Sequence, residues 1–554
     1  MNLNTRIAGP AWAWVNSTVD IIADLYAELW YDLISDIEYE SRIKWWVNFF
    51  DVNISDAWET FLTKYVDIIL AFNAESLEKQ LDSLKKWATI IINKKWTQKL
   101  ADKQIDLSDF SILDLEINDK YDNTYLLWIY ALFLNLDLDI ILDKIKIVFN
   151  RKWEEVVLNN QNIVKNIFET YNIDKKSEIK ISKVSKSKKL IYWNKALTYW
   201  AIEWWLEFYS AYPMTPASTI LSEVINSKKV NYIQNEDEIA VINSALWASF
   251  TWARAMCGTS GWGFALMTEA ISFAVQAEFP ITIVFSQRAG PSTGTPTYHE
   301  AWDINFALNP TFGDFNHVVM YPSTLEEAHY FWALALNIAD KYQTQVILLM
   351  DKQSSELSWT VWNMTIPEID RWMILDNPPE DYKRYELTDD WISPRVKVWT
   401  KNWDFIATSY EHDEYWATSE DPTLKKAFTE KRHKKLDNFF EREWISWYEI
   451  INKEAKKMLI VTSFTSYTAK EFVKRNPEFG LIIVKILKPI DERFVEEIKN
   501  KEEIIFIESN FSGQLENYMT KELGLKFIKW LKISNMRKYD LFPFYIEDLN
   551  ELKK

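Results

Sequence analysis

"GTSGWGFALMTEA", residues 258–270, reads as a strand end, a glycine turn and the start of an amphipathic helix, with Trp262 lodged between Gly261 and Gly263. Glycines at that spacing let a backbone turn sharply or approach a ligand. The bulkiest side chain defeats both uses. The whole chain repeats the oddity, with 29 Trp and only 10 Gly among 554 residues. Together the two make up roughly 7% of the chain, the share glycine alone takes in ordinary proteins. Many of the Trp fall where a turn, a helix end or close packing calls for glycine, as in "GPAWAWVNS", "ELWYDL", "RIKWWVNFF", "YWAIEWWLEF" and "VWNMTI". The expectation is that most of these codons are UGA, read as glycine in the source. The competing reading is a Trp-rich protein that binds sugars or membrane interfaces through its aromatic faces.

The totals narrow the class. A chain of 554 residues makes several domains with ample core. A net charge of −17 excludes non-specific nucleic-acid binding, which needs a positive surface, and disfavours anionic membranes. The apolar run "LLWIYALFLNL" (126–136) is too short to span a bilayer and is followed at once by Asp residues. The start "MNLNTRIAGPAWAWV" lacks a basic flank and an apolar signal segment, which leads to the expectation of a cytoplasmic protein. One cysteine, Cys257, makes no disulfide within the chain and cannot hold an iron–sulfur cluster alone. The five His, at 299, 317, 329, 412 and 433, lack zinc-type spacing, so no metal site is expected.

Three α/β blocks emerge. In the first, "TRIAGPAWAWVNSTVDIIADLYAELW" reads as strand, small-residue turn and helix; with Trp12 and Trp14 as glycine it becomes a nucleotide-fold type of opening, or simply a packing turn. It ends in the Lys/Ser-rich "NIDKKSEIKISKVSKSKKL", a linker. The second alternates apolar runs such as "FPITIVFSQ" and "TQVILLMDK" with helical stretches such as "STLEEAHYFWALALNIADKY", the pattern of parallel strands with crossover helices. The third follows the Pro-rich "WMILDNPPEDYKRYELTDD" and carries the strands "KKMLIVTSF", "LIIVKIL" and "EEIIFIESN".

The second block holds four polar or turn-rich segments at predicted strand ends, where open parallel sheets bind ligands: "FYSAYPMTPAST" (208–219), "QNEDEIAVINSALWASF" (234–250), the opening stretch, and "SQRAGPSTGTPTYHEAWD" (286–303). With Trp read as glycine, "YPMTP" resembles a Tyr-Pro-Ile-Thr-Pro signature and "QRAGPSTGTPT" a Gln-Arg-Gly-Gly-Pro-Ser-Thr-Gly-x-Pro-Thr segment of the alpha subunits of 2-oxoacid:ferredoxin oxidoreductases, of the type with a gamma domain fused in front. "EHDEYW" and "ESNFSGQL" in the third block, and "AGPAWAWV" and "SRIKWWVNF" in the first, are also similar to family segments. The departures are Met214 for Ile, Ala289 for Gly, and the Trp substitutions.

The resemblance implies a Rossmann-like gamma domain (1–175), a linker (176–190), a thiamine-enzyme pyrimidine-type domain (191–365) and a transketolase C-terminal-like domain (366–554). It implies CoA-dependent oxidative decarboxylation of a 2-oxoacid, 2-oxoglutarate favoured and pyruvate also open, with thiamine diphosphate as cofactor and electrons passed to ferredoxin. Thiamine chemistry needs a carboxyl group hydrogen-bonded to the aminopyrimidine ring. By resemblance that group is Glu238, nine positions before Trp247, with Glu236 as the fallback; a helix-capping role for both acids is the plain alternative. Arg288, whose planar fork suits a carboxylate, is implied to bind the oxoacid with Thr215 and Thr297. Tyr212, Pro213, Ser260, Gly261 and Gly263 are expected beside the cofactor, and His299 to be structural. The Gly-Asp-Gly segment that grips the diphosphate and Mg2+ is missing, since "FGDFNH" and "NWDFIA" lack the second glycine. A beta subunit is therefore expected to supply the pyrophosphate half, the Mg2+ and the iron–sulfur cluster. A non-oxidative thiamine enzyme is the other enzymatic reading.

Overall fold

The computed structural model describes residues 2–10, 15–29, 31–39, 47–55, 61–116, 122–148, 154–171, 189–192, 198, 201–203, 205–361 and 367–553. Most of the glycine-like turn in "AGPAWAWV", the stretch 41–46 within "SRIKWWVNF", and nearly all of the linker lie outside them. The chain forms two compact units: residues 1–192 with 356–362 and 545–554, and residues 193–355 with 363–544.

The first unit is built on an eight-stranded mixed sheet. Asn2–Pro10 lies near its middle, parallel to Val66–Ala71 and antiparallel to Val47–Ser55. Leu84–Asn93 and Ser111–Leu115 continue the parallel side, and Asp32–Tyr39, Ser358–Val361 and Lys189–Tyr192 the antiparallel side. The helices Val15–Glu28 and Asp122–Phe133 bury their apolar faces with Ile7, Leu33, Phe50 and Leu70. That burial removes the periodic Ile, Leu and Val positions of the sequence from water, the dominant favourable term in folding.

The second unit holds a larger and a smaller sheet and, apart from them, the two-stranded parallel pair Ile374–Leu375 with Arg395–Val396. The larger runs in the order Ile486–Lys488, Val318–Met320, Gln345–Met350, Ile281–Ser286, Ala255–Thr259, Phe208–Ala211, Asn231–Gln234. All its pairings are parallel except that of Ile486–Lys488 with Val318–Met320. Both expected core strands, Ile281–Ser286 and Gln345–Met350, are buried at every position, as strands covered on both faces must be. The predicted helix forms as Leu325–Tyr342, its first turn capped by the Thr324 side chain accepting from the Glu327 N–H. The smaller sheet contains Lys457–Thr462, Phe479–Val484 and Glu503–Glu508, the three apolar runs of the third block, with Tyr448–Ile451 and Lys532–Arg537 at its edges. Among the described residues, no helix is long and apolar enough to cross a membrane.

The backbone bears on the tryptophans directly. Nineteen described non-glycine residues have positive φ, and eight of them are Trp: 87, 205, 252, 372, 391, 399, 416 and 444. Left-handed backbone crowds a Cβ and costs roughly 1–2 kcal/mol per residue, a cost glycine escapes. Trp444 is a plain case: it closes the helix Phe439–Glu443 in the left-handed conformation, where helices usually place glycine, and its side chain is 93% exposed and so gains nothing by burial. Trp444→Gly is expected to raise stability by about 1 kcal/mol, read as a shift in the denaturant midpoint at unchanged slope; a loss of stability would contradict it.

Candidate active site

Four adjacent parallel strands end side by side in the second unit, and each hands its chain to one of the singled-out segments. Phe208–Ala211 leads into the Tyr212–Thr215 loop, Asn231–Gln234 into the turn before Glu238, Ala255–Thr259 into Ser260, and Ile281–Ser286 into Gln287 and Arg288. Such carboxyl ends are where open α/β sheets place their ligand sites. Side chains far apart in sequence meet there because parallel strands deliver all their loops to one edge.

Asp237 caps the helix Glu238–Phe250 by accepting from the Ala240 N–H at 2.7 Å, which fixes Glu238 as the first helical residue. Asn235 steadies the same turn: its side chain donates to the Ser210 hydroxyl at 2.8 Å and its N–H to the Ala211 carbonyl. The two acids therefore part. Glu236 is exposed on the turn, whereas Glu238 is 4% exposed and its Oε1 has no hydrogen-bond partner. Burial pushes the Glu238 carboxyl above its ordinary pKa, with Asp237 adding to the rise and Arg288 opposing it. A buried carboxyl oxygen with no donor is costly. An incoming N–H donor would relieve that cost.

The glycines of the opening stretch make room for that carboxyl. A Cβ on Gly263 would stand 2.7 Å from the Glu238 Cδ and would also strike Oε1 and the Thr259 hydroxyl, while a Cβ on Gly261 would lie 2.7 Å from an Asp303 carboxylate oxygen. Both positions need glycine because acids pack directly on the backbone. Trp262 between them points outward, 55% exposed. Ser260 is fully buried, its hydroxyl without a partner.

Arg288 is 7% exposed and donates from Nη1 to the Thr215 carbonyl at 2.9 Å; among the described residues Nε and Nη2 have no protein acceptor. Arg288 and Thr215, both expected to bind the oxoacid, touch each other through the threonine backbone. Burial lowers the Arg288 pKa, and Asp303 and Glu238 hold it up. Thr297 is half-buried farther along the same loop, and Tyr212 and Pro213 are exposed at the rim of the first loop. His299 is 3% exposed with Nε2 at 3.1 Å from the Ser509 hydroxyl, and burial lowers its pKa.

The sequence reading missed Asp303 and Gln287. Gln287 accepts from the Asp303 N–H at 2.9 Å and donates to the Tyr321 hydroxyl at 3.0 Å, so the residue before Arg288 ties down the residue that ends its segment. The signal was present, since the quoted segment 286–303 stops on that Asp. The segment "ESNFSGQL" has its own task. The Glu508 carboxylate accepts from the Leu515 and Glu516 N–H groups and the Asn510 side chain, capping the helix Gln514–Glu522.

The family described as "Pyruvate flavodoxin/ferredoxin oxidoreductase, thiamine diP-bdg" matches residues 200–429, and that described as "Pyruvate ferredoxin/flavodoxin oxidoreductase" matches residues 4–170. The 2-oxoacid:ferredoxin oxidoreductase subunit alpha of Sulfolobus sp is 26% identical over 615 aligned residues, covering 96% of this chain and 94% of that protein. The 2-oxoacid:ferredoxin oxidoreductase 2, subunit alpha, of Aeropyrum pernix is 34% identical over 347 residues, 57% of this chain and 53% of that protein. The solved 2-oxoglutarate:ferredoxin oxidoreductase from Magnetococcus marinus, with 2-oxoglutarate, coenzyme A and succinyl-CoA bound, superposes with a TM-score of 0.88 at 26% identity, covering 100% of this chain and 99% of that one. Matched in both its halves by these oxidoreductase families and over nearly its whole length by such subunits, this chain belongs to the 2-oxoacid:ferredoxin oxidoreductases, as an alpha subunit with the gamma domain fused in front.

Proposed function

We propose that this chain, paired with a beta subunit in the cytoplasm, decarboxylates a 2-oxoacid, 2-oxoglutarate before pyruvate, joins the acyl group to CoA and sends two electrons to ferredoxin. The observation that carries the reading is the unpartnered, buried Oε1 of Glu238 beside the buried fork of Arg288. Thiamine diphosphate, when bound, supplies a nucleophilic carbon and an electron sink for the carbanion left by decarboxylation. The pocket's donor set fits it: Glu238 offers the one acceptor its aminopyrimidine ring requires, with Ser260, Gly261, Gly263, Tyr212 and Pro213 at the same strand ends.

Each side chain then has a task. Glu238 accepts at its free carboxyl oxygen, which burial makes more basic than an ordinary carboxylate oxygen. Arg288 is turned by the Thr215 carbonyl so that its Nε and Nη2 edge is left to clamp the oxoacid carboxylate in bidentate fashion. Thr215 and Thr297 contribute hydroxyl donors to the same substrate. With one cysteine and no Gly-Asp-Gly segment in the sequence, the cluster, the Mg2+ and the diphosphate grip fall to the partner.

The test is co-expression with the beta subunit, Trp262 and the eight left-handed Trp replaced by Gly, followed by CoA-dependent reduction of a viologen dye with 2-oxoglutarate or pyruvate. A purified pair with intact cofactors that reduces nothing defeats the reading. Glu238→Ala should lower kcat about 10²- to 10⁴-fold, the usual worth of a positioned proton-transfer group, and full retained activity would remove Glu238 from its role. Gly263→Ala should also cut kcat at least tenfold while the subunits still assemble, because its methyl group lands on the Glu238 carboxyl.

A further inference from the structure

We propose that Asp303 is a proton-linked gate on substrate binding: it takes up a proton when the oxoacid carboxylate enters beside Arg288. The inference rests on the proposed function and adds to it a residue that touches Arg288 electrostatically. Gln287 accepts from the Asp303 backbone N–H at 2.9 Å, and Gln287 and Arg288 are neighbours in sequence, so the two chain positions are tied together. The Asp303 carboxylate lies against Gly261 and accepts no hydrogen bond among the described residues. One buried guanidinium feels the charge of two carboxyl groups, Glu238 and Asp303, with no ion pair to either among the described residues. A third carboxylate would leave the site with excess negative charge in a desolvated place, and the least costly relief is to protonate one acid. Glu238 is committed to the cofactor side. Asp303 is free to respond.

The surroundings leave Asp303 few other influences. Its own helix, Ile304–Leu308, and the packed turn of Gly261–Leu266 carry no titratable group, and Gln514, from the helix behind, is neutral. Arg288 is the one charged group acting on it, and burial outweighs that attraction, raising the Asp303 pKa to about 6. The sign follows. Below that pH Asp303 is neutral and the oxoacid binds unopposed; above it the ionised form must first gain a proton, so KM rises about tenfold per pH unit.

The test uses the assembled enzyme with 2-oxoglutarate and with pyruvate, measuring kcat and KM from pH 5.5 to 8.5. In the protein with Asp303 intact, KM should climb with that slope while kcat does not. Asp303→Asn should flatten the KM profile and lower KM at pH 8 at least tenfold, and Asp303→Glu should keep a slope. A pair that turns over oxoacid with a KM independent of pH, or an Asp303→Asn variant that keeps the slope, overturns the gate alone. A pair that turns over no oxoacid overturns the function itself.

The backbone carries a second, independent inference. We infer that glycine is the natural residue at the eight left-handed Trp positions, their codons being UGA decoded as glycine. Asn, which tolerates that conformation, supplies four of the remaining eleven positions, and no other bulky aromatic residue appears among them. The gene sequence should show UGA at these eight codons, and mass spectrometry of the protein from its source should give the glycine mass for the peptide that spans residue 444. UGG codons there, or a tryptophan mass, overturn the inference.

Discussion

A carboxyl group buried without a donor is the constraint around which the second unit is arranged. Glu238 tolerates its place because Asp237 and Asn235 pin the helix start, and because Gly263 lets the backbone of the next strand end come within contact of it. Neither condition is met by propensity alone. Parallel strands must end at the same level, or the glycine of one loop would not face the acid of another.

The same edge of the sheet sets the electrostatics. Glu238 comes from one chain segment and Arg288 and Asp303 from the two ends of another, and burial shifts each of them away from its ordinary titration. Perturbed groups gathered at strand ends are a common feature of sites that do chemistry. A contrasting cluster shows the difference: Glu278 is buried too, yet Lys431 and Lys435 bond both its oxygens and hold it far below the usual carboxylate range. That acid is fully paired and has nothing left to offer a ligand. Glu238 has a free oxygen.

Much of the fold was legible because periodicity survives even where Trp stands at turns. The runs "FPITIVFSQ" and "TQVILLMDK" became buried strands, and "STLEEAHYFWALALNIADKY" became a capped helix. Apolar spacing reports which faces are buried, and a bulky residue at a turn leaves that spacing intact. What the reading could not foresee was the long-range sharing of elements: Ser358–Val361 joins the first unit's sheet, and Ile486–Lys488 closes an edge of the second unit's larger sheet. Short strands carry too little pattern to announce their partners.

By itself the sequence determined the family motifs, the acid-bearing segment 234–250 and the glycine deficit that singles out the Trp positions, because each is a matter of which residues stand at which spacing. It left Glu236 and Glu238 as alternatives and passed over Asp303. Only the tertiary structure turned Glu236 to solvent and Glu238 inward, and brought Asp303 to Gly261 within reach of Arg288. The reason is physical: burial and charge at a site are sums over neighbours from distant segments, and those neighbours exist only once the strands are laid side by side.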